Sequence, residues 1–142
     1  MTTARRMIYV DSNVWLYSFT ADKKYGEACR SILEQVELSQ VDGAISVQVL
    51  AEVSAVLFRQ YRMKDTTRHL SGILSYRLKI EPVTSEIVRR AADYSKEFGI
   101  PPYDGIHVAT ALRLGIGEIV SADGELDRVK RLVRRTDPLD FQ

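Results

Sequence analysis

Short apolar runs alternate along this chain with longer segments whose apolar residues recur at helical spacing. The runs predict four buried strands, at residues 7–10, 43–46, 78–83 and 118–121. The helical spacing predicts amphipathic helices at residues 25–36, 47–61, 84–98 and 104–114. We also expect a more polar helix at residues 65–76, a short helix from Leu126 and an edge strand near residues 132–133.

The order of these elements favours one fold class. Strands that alternate with helices or helix pairs predict a parallel sheet with helices on both faces, because parallel strands need long crossover connections. Asp11, Ser12 and Asn13 follow the first strand as a typical helix cap. In such sheets, ligands bind beyond the carboxyl ends of the strands, so the polar residues that follow each strand are candidates for function.

Composition and charge narrow the possibilities further. The 142 residues are 45% hydrophobic and 27% charged, which is typical of one folded domain spanning residues 1–142. Twenty basic and 19 acidic side chains leave a net charge of +1. This balance excludes a protein surface that is positively charged overall and binds nucleic acid in that way. Cys29 is the single cysteine, which excludes a disulfide framework and favours a reducing compartment. No apolar run approaches the roughly 20 residues of a membrane helix, so we expect a soluble cytoplasmic protein.

Four carboxylates fall at matched places in the predicted topology. Asp11 follows the first strand and Asp123 follows the fourth, while Glu52 and Asp104 lie in helices that could direct a side chain to the same end of the sheet. Converging carboxylates repel one another strongly unless protons or a cation neutralise them. Oxygen ligands without a set of His or Cys residues point to Mg²⁺ or Mn²⁺ rather than to zinc.

Each carboxylate alone also has an ordinary structural explanation. Asp11 and Asp104 could be helix N-caps. Glu52 could be a solvated helix residue, and Asp123 could belong to a turn. The position of all four at the same end of the sheet is what predicts a site.

Four segments resemble, in order, the motifs of the PIN-domain nucleases and, within them, the VapC-type toxins of VapBC-type toxin–antitoxin systems. Residues 8–14 form an apolar strand followed by Asp11, and residues 45–53 place a strand-end serine before the helical Glu52. Residues 103–111 contain Asp104 before an Ala-rich helix, and residues 119–126 carry Ser121, Asp123 and Glu125. The resemblance extends from Ile8 to about Arg135.

The resemblance implies a PIN-like three-layer α/β/α fold with a central parallel sheet of four or five short strands. It also implies a metal-dependent endoribonuclease in which Asp11, Glu52, Asp104 and Asp123 are catalytic and hold one or two Mg²⁺ or Mn²⁺ ions. The implied reaction is attack of activated water on an RNA phosphate, which leaves a 5′-phosphate and a 3′-hydroxyl. The implied partners are an RNA substrate, a cognate antitoxin protein and a second copy of the chain in a homodimer.

Other residues are expected to support this site. Asn13 and Ser121 would hydrogen-bond the ligands and fix their geometry, and Glu125 could join through water. Gly105 and His107 depart from the small or apolar residues that usually follow the third aspartate. His107 lies one helical turn from Asp104 and could approach the site, but we interpret it as a partly buried helix histidine.

Basic residues form two candidate patches. Five residues after Asp123 could bind RNA phosphates, and these are Arg128, Lys130, Arg131, Arg134 and Arg135. A second group consists of Arg59, Arg62, Lys64 and Arg68. A solvated helix face is the alternative explanation of either group.

Several other functions compete with a toxin ribonuclease. A housekeeping PIN-domain nuclease for RNA processing would share the fold and the chemistry, and nothing in the chain separates the two. A catalytically silent PIN-like module that binds RNA or protein predicts the loss of an acidic residue, but all four are present. A phosphatase of the haloacid-dehalogenase type needs a second aspartate where this chain has Asn13, and no Gly-rich phosphate loop is present.

Overall fold

The computed structural model describes residues 5–142, so the predicted domain over residues 1–142 includes four residues outside the described part. One parallel sheet has the strand order β3-β2-β1-β4-β5. Its strands are β1 (Met7–Val10), β2 (Asp42–Ser46), β3 (Leu78–Glu81), β4 (Glu118–Val120) and β5 (Arg134–Thr136). The helices are α1 (Ser12–Phe19), α2 (Gly26–Glu37), α3 (Val47–Arg59), α4 (Thr67–Leu74), α5 (Ser85–Phe98) and α6 (Pro102–Arg113). Two 3₁₀ helices lie at Gly124–Val129 and Pro138–Asp140.

Helices cover both faces of the sheet, which confirms the predicted three-layer α/β/α architecture. The central strand β1 is fully buried at Ile8, Tyr9 and Val10, as its apolar run predicted. It pairs with β2 on one side and with β4 on the other. From β1 the chain adds β2 and then β3 on one side, and from β4 it adds β5 on the other side. Parallel sheets bind ligands at such a reversal of strand order, in the gap beyond the carboxyl ends of the two strands.

The edge strand lies at Arg134–Thr136, so the prediction of a strand near residues 132–133 was wrong by about two positions. Val133 is buried, and its N–H donates to the carbonyl of Val129 at the end of the 3₁₀ helix. With its N–H bonded there, Val133 does not pair with β4. Pairing begins when the Arg134 N–H donates to the Gly117 carbonyl.

The helix that carries Asp104 begins earlier than the sequence suggested. Pro102 occupies its first position and Pro101 is the N-cap. Proline is well tolerated there, because its missing N–H would have no partner inside the helix. Asp104 therefore lies within the first turn, where the helix dipole favours a carboxylate, and it does not cap the helix.

One large hydrophobic cluster packs around the sheet and contains the fully buried Trp15 and Cys29. A smaller cluster joins α5 to α6 through Ile87, Ala91 and Ile106. Within residues 5–142, no helix has the length and apolar character needed to cross a membrane.

Candidate active site and metal centre

Asp11 lies directly after β1, at the gap between β1 and β4. It caps α1, because its Oδ1 accepts the Ser12 N–H at 2.7 Å. Its other oxygen, Oδ2, accepts the Ser121 hydroxyl at 2.6 Å. The side chain is almost completely buried. Asp11 thus serves as an N-cap and also as a fixed member of the acidic site, so the two interpretations of this residue are compatible.

Ser121 and Asn13 join the two loops that follow β1 and β4. The Ser121 hydroxyl donates to Asp11 and accepts from the Asn13 amide and the Asp123 N–H, both at 3.0 Å. The Asn13 amide also donates to Asp11 Oδ2 at 3.3 Å, and its carbonyl accepts the Ala122 N–H at 3.1 Å. These contacts hold the Asp11 side chain and the backbone at Asp123 in a fixed relation.

The carboxylates divide into two adjacent groups. In the first, Asp11 and Glu52 meet the ring of His107, whose Nε2 contacts Glu52 directly and lies 3.5 Å from Asp11 Oδ1. In the second, ligand atoms of Asp104, Asp123 and Glu125 all lie within 4.8 Å of one another. We call Asp11, Glu52, Asp104, Asp123 and Glu125 the acidic cluster.

The two groups are close enough for the charge of Asp11 in the first group to act on Asp104 in the second. Burial, together with the charges of Asp123 and Asp11, raises the pKa of Asp104 to about 7. Asp104 Oδ2 is buried and has no hydrogen-bond partner among the described residues. An orphaned buried oxygen beside other carboxylates is costly unless a proton or a cation satisfies it. The donor set of hard oxygens fits a divalent cation such as Mg²⁺ or Mn²⁺.

The PIN-domain family model matches residues 8–132. The chain belongs to the PIN-domain family. This is a family of nucleases, and all five residues of the acidic cluster lie within the matched segment. No curated protein has a sequence that matches the chain significantly.

Solved structures support the same fold for this PIN domain. One similar structure is VapC20 of Mycobacterium tuberculosis, described as a toxin that cleaves the sarcin–ricin loop, with 19% identity, a TM-score of 0.71, and coverage of 86% of this chain and 94% of that one. A toxin–antitoxin complex from Klebsiella pneumoniae has 18% identity, a TM-score of 0.65, and coverage of 94% and 99%. VapBC2 from Rickettsia felis, bound to a promoter DNA fragment, has 18% identity, a TM-score of 0.64, and coverage of 92% and 99%.

The interpretation of His107 as an ordinary, partly buried histidine was wrong. Its side chain is completely buried, and the ring reaches Glu52 and Asp11 on one side and Tyr9 on the other. Burial alone would lower the pKa of His107, but Tyr9, Asp11 and Glu52 outweigh it and hold the pKa well above its usual range. A spacing of one helical turn from Asp104 was the available sequence signal.

The basic residues after Asp123 do not share one surface. Arg134 begins β5 and lies 3.4 Å from Glu118, which begins β4, so it sits at the amino end of the sheet, away from the acidic cluster. Arg135 is largely buried and contacts Asp127 at 2.9 Å and Asp137 at 3.3 Å. The placement of Arg134 therefore does not support a contact with RNA beside the site. Arg135 does lie beside the site, since it donates to the Ser121 carbonyl at 2.9 Å, but it is already paired with two aspartates.

The remaining basic residues of this group are exposed. Arg128 donates to the Gly99 carbonyl at 2.8 Å, and Arg131 lies over the ring of Phe98 with its guanidinium 5.3 Å from the ring centre. Phe98 and Gly99 close α5 and lead directly to the loop before Asp104. Arg128 and Arg131 thus lie on the side of the molecule that carries the acidic cluster.

Proposed function

We propose that this PIN domain, spanning residues 1–142, is a metal-dependent endoribonuclease that acts as the toxin of a VapBC-type pair in the cytoplasm, where its RNA substrate lies. The observation that carries the proposal is the acidic cluster at the carboxyl ends of β1 and β4. Asp11 and Asp123 follow these two neighbouring strands, and Glu52 and Asp104 approach from α3 and α6. An arrangement of this kind serves cation binding better than protein stability, since it concentrates like charges.

The proposed ligands are Asp11, Glu52, Asp104 and Asp123, with Glu125 joining through water. A bound Mg²⁺ or Mn²⁺ ion would supply the positive charge that activates water and neutralises the scissile phosphate. Asp11 enters this role with little freedom, because Ser121 holds one oxygen and the Ser12 N–H holds the other. Glu52 and Asp104 reach the site from helices, and we propose that one of them orients the attacking water.

Similarity to toxin–antitoxin complexes supports the biological role. The structures from Klebsiella pneumoniae and Rickettsia felis are described as complexes of this kind, and each covers more than nine tenths of this chain. VapC20 is described as a toxin that cleaves the sarcin–ricin loop. We propose, by analogy, an RNA substrate and a cognate antitoxin that suppresses cleavage.

Growth after induced expression tests this role. We expect wild-type protein to arrest growth and the Asp11→Asn variant to leave growth unchanged, because the variant lacks one ligand charge while retaining its cap. RNA from arrested cells should contain new 5′-phosphate ends. Normal growth with abundant soluble wild-type protein would favour a housekeeping nuclease, and arrest by both proteins would favour a binding module.

The placement of the arginines gives a separate prediction for RNA binding. In the non-cleaving Asp11→Asn background, we expect Arg128→Ala and Arg131→Ala each to reduce the slope of log K against log salt by about 0.7, as for one lost phosphate contact on a single strand. Arg134→Ala is the matched control, because Arg134 lies at the opposite end of the sheet. Equal slopes for all three variants would remove Arg128 and Arg131 from the RNA surface.

A further inference from the structure

His107 connects four separate elements of the fold at the base of the acidic cluster. It belongs to α6, and its Nδ1 lies 2.6 Å from the Tyr9 hydroxyl of β1. Its Nε2 contacts Glu52 of α3. Ser46, at the end of β2, completes this series of contacts through hydrogen bonds with Tyr9. Every one of these contacts is buried or partly buried, so water cannot easily substitute for a lost partner.

The hydrogen-bond partners determine which atoms carry protons. The Tyr9 hydroxyl accepts the Ser46 N–H at 3.2 Å and lies 2.9 Å from Ser46 Oγ. The same hydroxyl lies 2.6 Å from His107 Nδ1, so Tyr9 holds this side of the ring. On the other side of the ring, Nε2 faces only the carboxylates of Glu52 and Asp11, which are acceptors. Nε2 is consequently the nitrogen that donates to Glu52.

We propose that His107 is a positioning residue for Glu52, a role that rests on the proposed metal-dependent function. The Nε2–H of His107 fixes one Glu52 oxygen beside Asp11 and leaves the other free to meet a cation. Glutamate has a long, flexible side chain, and Glu52 is only half-buried, so without this contact it would sample several rotamers. Tyr9 and Ser46 fix the plane of the ring, and thereby the direction of the Nε2–H bond.

Residues that orient metal ligands typically contribute a factor of about 10–100 to metal affinity. We therefore expect His107→Leu, which removes the Nε2–H donor at similar side-chain volume, to weaken Mn²⁺ binding by about that factor in calorimetry. His107→Gln retains a donor near the Nε2 position and should recover part of the loss. His69→Gln is the matched control, because His69, the other histidine of the chain, lies on α4 against Phe19.

A double-mutant cycle with Glu52→Gln separates positioning from a general structural role. If His107 acts through Glu52, His107→Leu should weaken Mn²⁺ binding strongly in the wild type and less than about twofold in the Glu52→Gln background. The same loss in both backgrounds would overturn the proposal. Should His107→Leu fail to fold, Tyr9→Phe takes its place in the cycle, because it removes only the hydroxyl that orients the ring.

The result can be distinguished from a failure of the nuclease proposal. A wild-type protein that binds Mn²⁺ with a coupled cycle but cleaves no RNA would overturn the nuclease function and retain the positioning role. An active nuclease with additive losses in the cycle would overturn only the role of His107. A wild-type protein that binds no Mn²⁺ would overturn both.

Discussion

Asp104→Asn should abolish metal-dependent RNA cleavage and, without metal, make the protein more stable above pH 7. The activity should fall by at least about a hundredfold, since loss of a ligand exceeds the effect of losing a residue that only orients one. The stability should rise because asparagine removes one charge from a set of converging carboxylates. RNA cleavage and thermal unfolding at pH 8 measure the two effects.

The direction of the pH effect follows from the two states of Asp104. Its pKa is about 7 in the folded protein, against the ordinary 3.8 expected when the chain unfolds. Between these values the folded state binds a proton that the unfolded state does not, so the contribution of this group to stability declines as pH rises from about 4 to 7. Allowing for solvent screening, Asp104→Asn should recover on the order of 1 kcal/mol at pH 8 and almost nothing at pH 4.

Added metal should reverse the order of stability. Mg²⁺ or Mn²⁺ that binds only the folded state stabilises it in proportion to site occupancy, and the variant would bind the ion poorly. The wild type should therefore gain more in melting temperature than Asp104→Asn. Asp93→Asn, an exposed change of the same kind on α5, is the control and should affect neither activity nor stability. Retained cleavage in Asp104→Asn would contradict the assignment of Asp104 as a ligand.

Asp11 and Asp123 could be placed from sequence because each lies in the loop that follows a strand. An apolar run followed by Asp11, and another followed by Ser121 and Asp123, determine the end of the sheet once the sheet is known to be parallel. The supporting contacts of Ser121 with Asp11 follow from the same adjacency, since β1 and β4 are neighbours. Local pattern and topology together were enough to place these residues, whereas the choice of Glu52 and Asp104 also needed the resemblance to the family motifs.

The role of His107 could not be predicted in this way. Its partners Tyr9 and Glu52 are 98 and 55 residues away, and only the packing of α6 against β1 and α3 brings them together. The predicted position of Arg134 beside the acidic cluster was wrong for a related reason. A shift of about two residues in the start of β5 moved it to the opposite end of the sheet. Sequence pattern leaves such strand boundaries uncertain by a few residues.

Gly105→Ala should destabilise the protein, although alanine is the better helix former. Gly105 lies in α6 beside Asp104, and a Cβ atom there would come within 2.6 Å of the Ala91 carbonyl oxygen and 3.0 Å of the Ala91 Cα and Cβ. The nearest obstacle is backbone, so α5 and α6 must separate. Overpacking of this kind typically costs about 1–3 kcal/mol, which exceeds the gain of about 0.5–1 kcal/mol in helix propensity.

Gly72→Ala should have the opposite effect on stability. Gly72 also lies within a helix, α4, but a Cβ there would meet nothing within 4 Å. We expect this variant to be more stable than the wild type by about 0.5–1 kcal/mol. Chemical denaturation of Gly105→Ala and Gly72→Ala therefore compares the cost of overpacking with the gain in helix propensity. Since α5 and α6 must separate in Gly105→Ala, Asp104 should shift with its helix and Mn²⁺ affinity should fall, whereas Gly72→Ala should bind normally. Equal stabilisation of both variants would show that α6 can move away from α5 at little cost, and that the glycine is not needed to place Asp104.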